Sequence, residues 1–194
     1  MGVTEKMGGY RYTYGDYVKW SENEQWELIN GIPYNMTPAP STEHQRISRE
    51  LALQFANYLV GKTCEVFYAP FDVRLPLAQE KDEEIDTVVQ PDLAVICDRN
   101  KLDRKGCRGA PDLIIEIISH ATAKKDMQEK FLLYERSGVK EYWLVFPLDS
   151  VIDVYTLNRD KKYERSGLYQ YPDKITVGIF VDLDIDLGLI FTKD

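Results

Sequence analysis

The sequence predicts an α/β (α+β) protein built on a mixed central sheet flanked by helices. Three observations carry this reading. The apolar runs QPDLAVICD, GAPDLIIEIIS and KEYWLVFP are each of strand length and closed by Pro, Gly, Asn or Asp. The run LIIEII lacks clean apolar–polar alternation, so a strand there needs cover on both faces. Two stretches with helical spacing, one before these runs and one among them, provide that cover.

Taken in order, residues 10–20 (YRYTYGDYVKW) read as a short amphipathic helix with Thr13 as cap, three residues before Asp16. In QWELINGIPYNM, Asn30-Gly31 lies between two apolar runs, which predicts a hairpin with a type I′ turn. Ser41 and Thr42 then open a helix, with Gln45 placed to close a capping box on Thr42. Ile47, Leu51, Phe55 and Leu59 form its buried stripe, and Gly61 ends it. EVFYAPFDVRLP reads as one strand that turns amphipathic after Pro70, with Asp72 and Arg74 on one face. AQEKDEEIDT reads as a solvated acidic loop. After the central strands come a helix over 122–137 with Met127, Phe131 and Tyr134 as its packed stripe, a hairpin of YWLVFP and SVIDVYTL, and a closing set of strands and turns.

Length, charge and cysteines set the outer bounds. A chain of 194 residues without repeat or linker fits one domain, 1–194. No run approaches the roughly 18 apolar residues of a membrane span, so no membrane partner is expected. The N-terminal stretch has no apolar core of signal-peptide type. Cys64, Cys97 and Cys107 are too few and too scattered for a disulfide framework or a zinc cluster. Cys97 reads as a small buried hydrophobe, and a reduced cytoplasmic compartment is the expectation. The net charge of −8 counts against nucleic-acid binding through a broad basic surface, though not against a local groove or a bound divalent cation.

Two carboxylates stand out because they sit on apolar strands. Asp92 lies near the start of one run and Glu116 in the middle of the next. Burying a carboxylate requires a partner, a hydrogen bond or a cation. Alternation places Asp112, Ile114, Glu116 and Ile118 on one face. Asp112 follows Pro111 and reads as fixing that turn, whereas mid-strand Glu116 has no such simple structural role. Oxygen ligands from one or two carboxylates suit Mg²⁺. On the following helix, Lys130 stands four residues after Asp126, a spacing that suits a surface ion pair; Lys124 and Lys125 read as solvated or phosphate-facing.

With these residues in place, WELINGIPYNM, STEHQ, FDVRLP, QPDLAVICD, GAPDLIIEIIS, the spaced Asp126, Lys130 and Tyr134, and GVKEYWLVFP together resemble the Uma-two family. That is a group of restriction-endonuclease-like proteins with the PD-(D/E)XK nuclease fold. The resemblance runs from about residue 10 to the C-terminus and implies a restriction-endonuclease-like core over about 41–158, an N-terminal hairpin and a C-terminal β extension. It implies Asp92 and Glu116 as metal-binding acids, with the backbone carbonyl of Ile117 as a further ligand. The usual lysine slot, two residues after the acid, holds Ile118, so the resemblance points to Lys130 as the migrated catalytic amine. Glu27, His44, Gln45, Asp72, Ser119 and Asp126 are the pocket-lining candidates.

The expected activity is Mg²⁺- or Mn²⁺-dependent phosphodiester hydrolysis, with DNA as the expected nucleic-acid partner. A competing reading is a nuclease fold kept for binding or regulation without catalysis, favoured by the acidity and the displaced lysine. A third is a metal hydrolase acting on a smaller phosphoester. The aromatic segment GLYQYP suggests a homodimer contact.

Overall fold

The computed structural model describes residues 9–20, 24–36, 39–120 and 122–191. Its elements run α1 (Tyr14–Tyr17), β1 (Trp26–Ile29), β2 (Ile32–Asn35), α2 (Thr42–Leu59), β3 (Glu65–Tyr68), β4 (Val73–Arg74), β5 (Val88–Val89), β6 (Leu93–Ile96), β7 (Leu102–Asp103), β8 (Gly106–Arg108) and β9 (Leu113–Ile117). There follow a π-helical turn (Lys125–Lys130), α3 (Phe131–Ser137), β10 (Glu141–Phe146), β11 (Val151–Leu157), β12 (Tyr163–Gln170), β13 (Lys174–Thr176), β14 (Asp184–Asp186) and α4 (Leu187–Ile190).

The central sheet is mixed, in the order β12-β11-β10-β9-β6-β3, with β9 and β10 parallel and the other neighbours antiparallel. Its two faces are covered, as LIIEII requires. The buried stripe of α2, Ile47, Leu51, Phe55 and Leu59, packs with Leu113, Ile115 and Ile117. Ile114 points the other way, into a core shared with Leu133 and Tyr134 of α3 and Val73 and Val89 of β4 and β5. Glu116 belongs to this second face and so meets α3.

A second six-stranded sheet, β2-β1-β5-β4-β8-β7, packs with α3 against this same face of the central sheet. Its hairpin forms as expected: Asn30 and Gly31 both take positive φ (50° and 76°), the type I′ requirement. No sequence period marks this sheet as a unit, because β4, β5 and β7 are only two residues long.

Several local expectations are corrected. The stretch 10–20 forms a single helical turn, α1, capped by Thr13, whose N–H donates to Asp16 Oδ2 at 3.1 Å. Ser41, not Thr42, caps α2: its Oγ accepts from the His44 N–H at 3.1 Å, so Gln45 closes no box and stays exposed. The stretch 65–76 is two strands in different sheets, divided around Pro70. The acidic segment is not wholly solvated, since Asp82 pairs with buried Arg74 at 2.7 Å and Ile85 is fully buried. Cys64 and Cys97 face each other across β3 and β6 as a disulfide, whereas Cys107 is a buried free thiol. Met127 is turned out to solvent rather than packed.

Candidate active site

Five segments converge on one buried polar cluster. Glu116 comes from the middle of β9 and is 4 % exposed. Lys130 comes from the end of the π-helical turn and is 2 % exposed. Its Nζ lies 2.8 Å from Glu116 Oε1. Tyr134, one helical turn on, donates its hydroxyl to the same oxygen at 2.7 Å.

The π-helical turn explains this inward lysine. The extra residue in the turn shifts which positions face the core. Asp126, Lys130 and Tyr134 point inward, and Met127 is displaced outward. Lys130 is therefore no surface partner of Asp126. It is a buried ammonium, 3.7 Å from Asp126 Oδ1.

Glu27, on β1, is fully buried. Its Oε1 accepts from Lys130 Nζ (2.7 Å) and from the Gln90 N–H (3.0 Å), and its Oε2 accepts from Lys125 Nζ (2.6 Å). Asp92, immediately before β6, accepts from the Ile117 N–H through Oδ2 at 2.7 Å. Its Oδ1 lies 3.2 Å from His44 Nε2, at the first turn of α2. That single backbone bond ties the Asp92 segment to the strand carrying Glu116.

Burial raises the Glu116 carboxyl to about 8; Lys130 pulls it down, but Asp126, Asp92 and Glu27 add to the rise. Burial also raises Asp126. For Glu27, burial acts upward but Lys130 and Lys125 outweigh it, so its carboxyl is held low. Lys130 stays protonated, because Glu116, Glu27 and Asp126 overcome the effect of burial. His44 is raised by Asp92 against burial. The cluster holds four carboxyls (Glu27, Asp92, Glu116, Asp126) and two ammonium groups (Lys125, Lys130), so two carboxyls have no ammonium of their own.

Asp126 Oδ1 is buried and accepts no hydrogen bond among the described residues. Among those residues, no three His, Cys, Asp or Glu side chains form a metal cage by themselves. The donor set nonetheless fits a hard divalent cation held by one or two carboxylates and completed by water and substrate oxygen.

A family model described as "Putative restriction endonuclease", Uma2, matches residues 14–188. The chain belongs to the Uma2 family. An uncharacterized protein of Synechocystis sp. is 29% identical over 178 residues, covering 88% of each chain. A crystal structure from Anabaena variabilis, of a "putative nuclease belonging to DUF820", superposes with a TM-score of 0.72 at 20% identity. That match spans 93% of this chain and 97% of the other, and it shows that the two chains share a fold. No helix among the described residues is long and apolar enough to cross a membrane.

For this Uma2 chain, the structure brings together Asp92, Glu116, Lys130, Glu27, Asp126 and His44. Asp72 stands one step away: its Oδ1 accepts from Gln90 Nε2 (2.8 Å) and Tyr17 Oη (3.0 Å). Ser119 does not touch the acids; its Oγ lies 3.1 Å from Thr122 Oγ1 in the turn before the helix. Gln45 is exposed beside His44. Lys125 is paired with Glu27 rather than solvated. Three participants lie outside the expected pocket: Lys125, Gln90 and Tyr134, the last quoted among the spaced residues of the resemblance but assigned only a packing role. Its place four residues after Lys130, on the same face, is the signal for its role in the site.

Proposed function

We propose that this chain is a divalent-metal-dependent nuclease that hydrolyses phosphodiester bonds in DNA. One observation carries the reading: an ammonium on a neighbouring helix meets Glu116 at 2.8 Å, although the usual lysine slot holds Ile118. Asp92 and Glu116, with the backbone carbonyl of Ile117, would hold Mg²⁺ or Mn²⁺. Such an ion polarises a scissile phosphate and lowers the pKa of water beside it. It also offsets the repulsion between a protein of net charge −8 and a polyanion.

In this reading Lys130 stabilises the charge that develops on the phosphoryl oxygens, or orients the attacking water. Tyr134 fixes the Glu116 oxygen that Lys130 also uses. The Ile117 N–H holds Asp92 in register with Glu116. Asp126 adds negative charge behind Lys130 and keeps it protonated. Approach is from the side of Asp92 and His44, whose side chains retain 18% and 14% exposure against 3% for Lys130.

The unit proposed is 1–194, its core over about 41–158 supplemented by the N-terminal hairpin and the C-terminal β extension. Two copies would pair through the β12 end, where Leu168 and Tyr171 are exposed. The deep burial of Lys130 favours the second reading, a nuclease fold kept for binding or regulation. Cleavage of single- and double-stranded DNA in Mg²⁺ or Mn²⁺, by wild type and by Glu116→Ala and Asp92→Ala, separates the two. Cleavage abolished by either substitution supports the nuclease. No cleavage by wild type supports the binding role.

A further inference from the structure

We propose that Glu27 is the positioning residue of Lys130, so that the N-terminal hairpin is an integral part of the active site. The kinetic part of this inference rests on the nuclease reading; the structural part does not.

Glu27 lies outside the expected 41–158 core and on a different sheet from Asp92 and Glu116. Yet it touches more of the cluster than any other acid. Its carboxylate joins Lys130, Lys125 and the backbone of Gln90, two residues before Asp92. Tyr34, on the other strand of the hairpin, donates to Glu129 Oε2 at 2.6 Å, and its ring lies 5.7 Å from Lys125 Nζ. The hairpin therefore grips Lys125, Glu129 and Lys130, half of the π-helical turn.

An ammonium has three N–H donors. Glu116 and Glu27 take two of them at 2.8 and 2.7 Å. Asp126 lies beyond hydrogen-bond reach at 3.7 Å, so among the described residues the third donor is left for water or a phosphate oxygen. A lysine held by one carboxylate alone keeps much of its rotamer freedom. Held by two, it is fixed. Glu116 cannot be the sole anchor and also serve as a cation ligand, because positive charge placed there would push the ammonium away. Glu27 supplies the hold that Glu116 gives up. The two acids thus divide two tasks, one facing the substrate and one facing the lysine.

The test combines kinetics with a readout that needs no activity. Lysine acylation by acetic anhydride, mapped by mass spectrometry, compares Lys130 with exposed Lys124 in the full chain. In wild type, Lys130 reacts far more slowly than Lys124. Glu27→Gln, folded by circular dichroism, raises Lys130 labelling by about tenfold or more, since the amine loses the carboxylate that holds it at 2.7 Å. It lowers kcat about 10–100-fold with KM within about threefold, as expected for a misplaced catalytic group. Glu27→Asp, which keeps the charge but retracts it by one methylene, falls between the two on both measures.

A role confined to stability would lower the melting temperature and leave native-state labelling and kcat unchanged; that outcome overturns the proposal. Should Glu27→Gln fail to fold, Glu27→Asp decides alone: unchanged Lys130 labelling and kcat overturn the inference, and an increase with reduced kcat supports it. If wild type cleaves no DNA, the nuclease reading falls, and the labelling arm still decides whether Glu27 holds Lys130.

Discussion

Lys130 Nζ lies 2.8 Å from Glu116 Oε1, and neither side chain has more than 5% of its surface in water. Fourteen residues and a change of element separate them in the chain, so the pair exists only because α3 packs on the Glu116 face of β9. Removing one partner of such a pair costs more than the pair itself contributes, because the other charge stays buried.

Lys130→Met therefore leaves Glu27, Glu116 and Asp126 facing one another without their shared cation. We expect a loss of about 3–5 kcal/mol in urea unfolding in the presence of chelator. Lys124→Ala, at an exposed position, should stay within about 0.5 kcal/mol of wild type. Equal effects from the two substitutions would contradict the buried position of Lys130.

The pH dependence has a definite sign. Burial raises the folded-state value of Glu116 to about 8, above the unfolded value of about 4.3. A raised carboxyl contributes its stability fully below the unfolded value and loses it as pH climbs through the folded value. In chelator, Glu116→Gln removes this loss. It should gain on wild type between pH 5 and pH 9 by about 1–3 kcal/mol, roughly 2–10 °C in melting temperature. A wild-type advantage that widens with pH would contradict it.

The parts legible in sequence were those with strong local signals. The α2 stripe repeats over four turns, and Asn-Gly dictates its own turn. Glu116 stood out because a charge on an apolar strand asks for a reason. The second sheet was illegible because two-residue strands carry no period. Lys130 could be named only through family resemblance, since helical spacing put it beside the stripe, and the π-helical turn that buries it leaves no mark a 3.6-residue period would detect. The role of Glu27 depends on a contact about a hundred residues away, between β1 and Lys125 and Lys130, which no local pattern encodes.

Arg74 shows the same limit away from the site. It is fully buried; its Nη1 lies 2.7 Å from both carboxylate oxygens of Asp82 and its Nη2 2.7 Å from both of Asp103. Hydrogen bonds between ionised groups are about twice as strong as neutral ones. Arg74→Met should cost about 2–4 kcal/mol, loosening both the acidic segment and the β7–β8 hairpin. Hydrogen exchange should accelerate at 81–85 and 102–108 while α2 stays protected. Uniform protection in the variant would show that Arg74 is not their tether.

The cysteines give a direct chemical check on the β3–β6 pairing. Denatured without reductant, the protein should present one reactive thiol, Cys107, and all three after reduction. Three thiols before reduction would contradict the Cys64–Cys97 bond.

The measurement closest to the central claim is a Mn²⁺ soak of crystals of the wild-type protein and of Glu116→Ala, read by anomalous scattering. One strong peak is expected in wild type at about 2.0–2.4 Å from carboxylate oxygens of both Asp92 and Glu116, with Lys130 Nζ beside it, and none in the variant. A wild-type peak elsewhere, or no peak at saturating Mn²⁺, would contradict it.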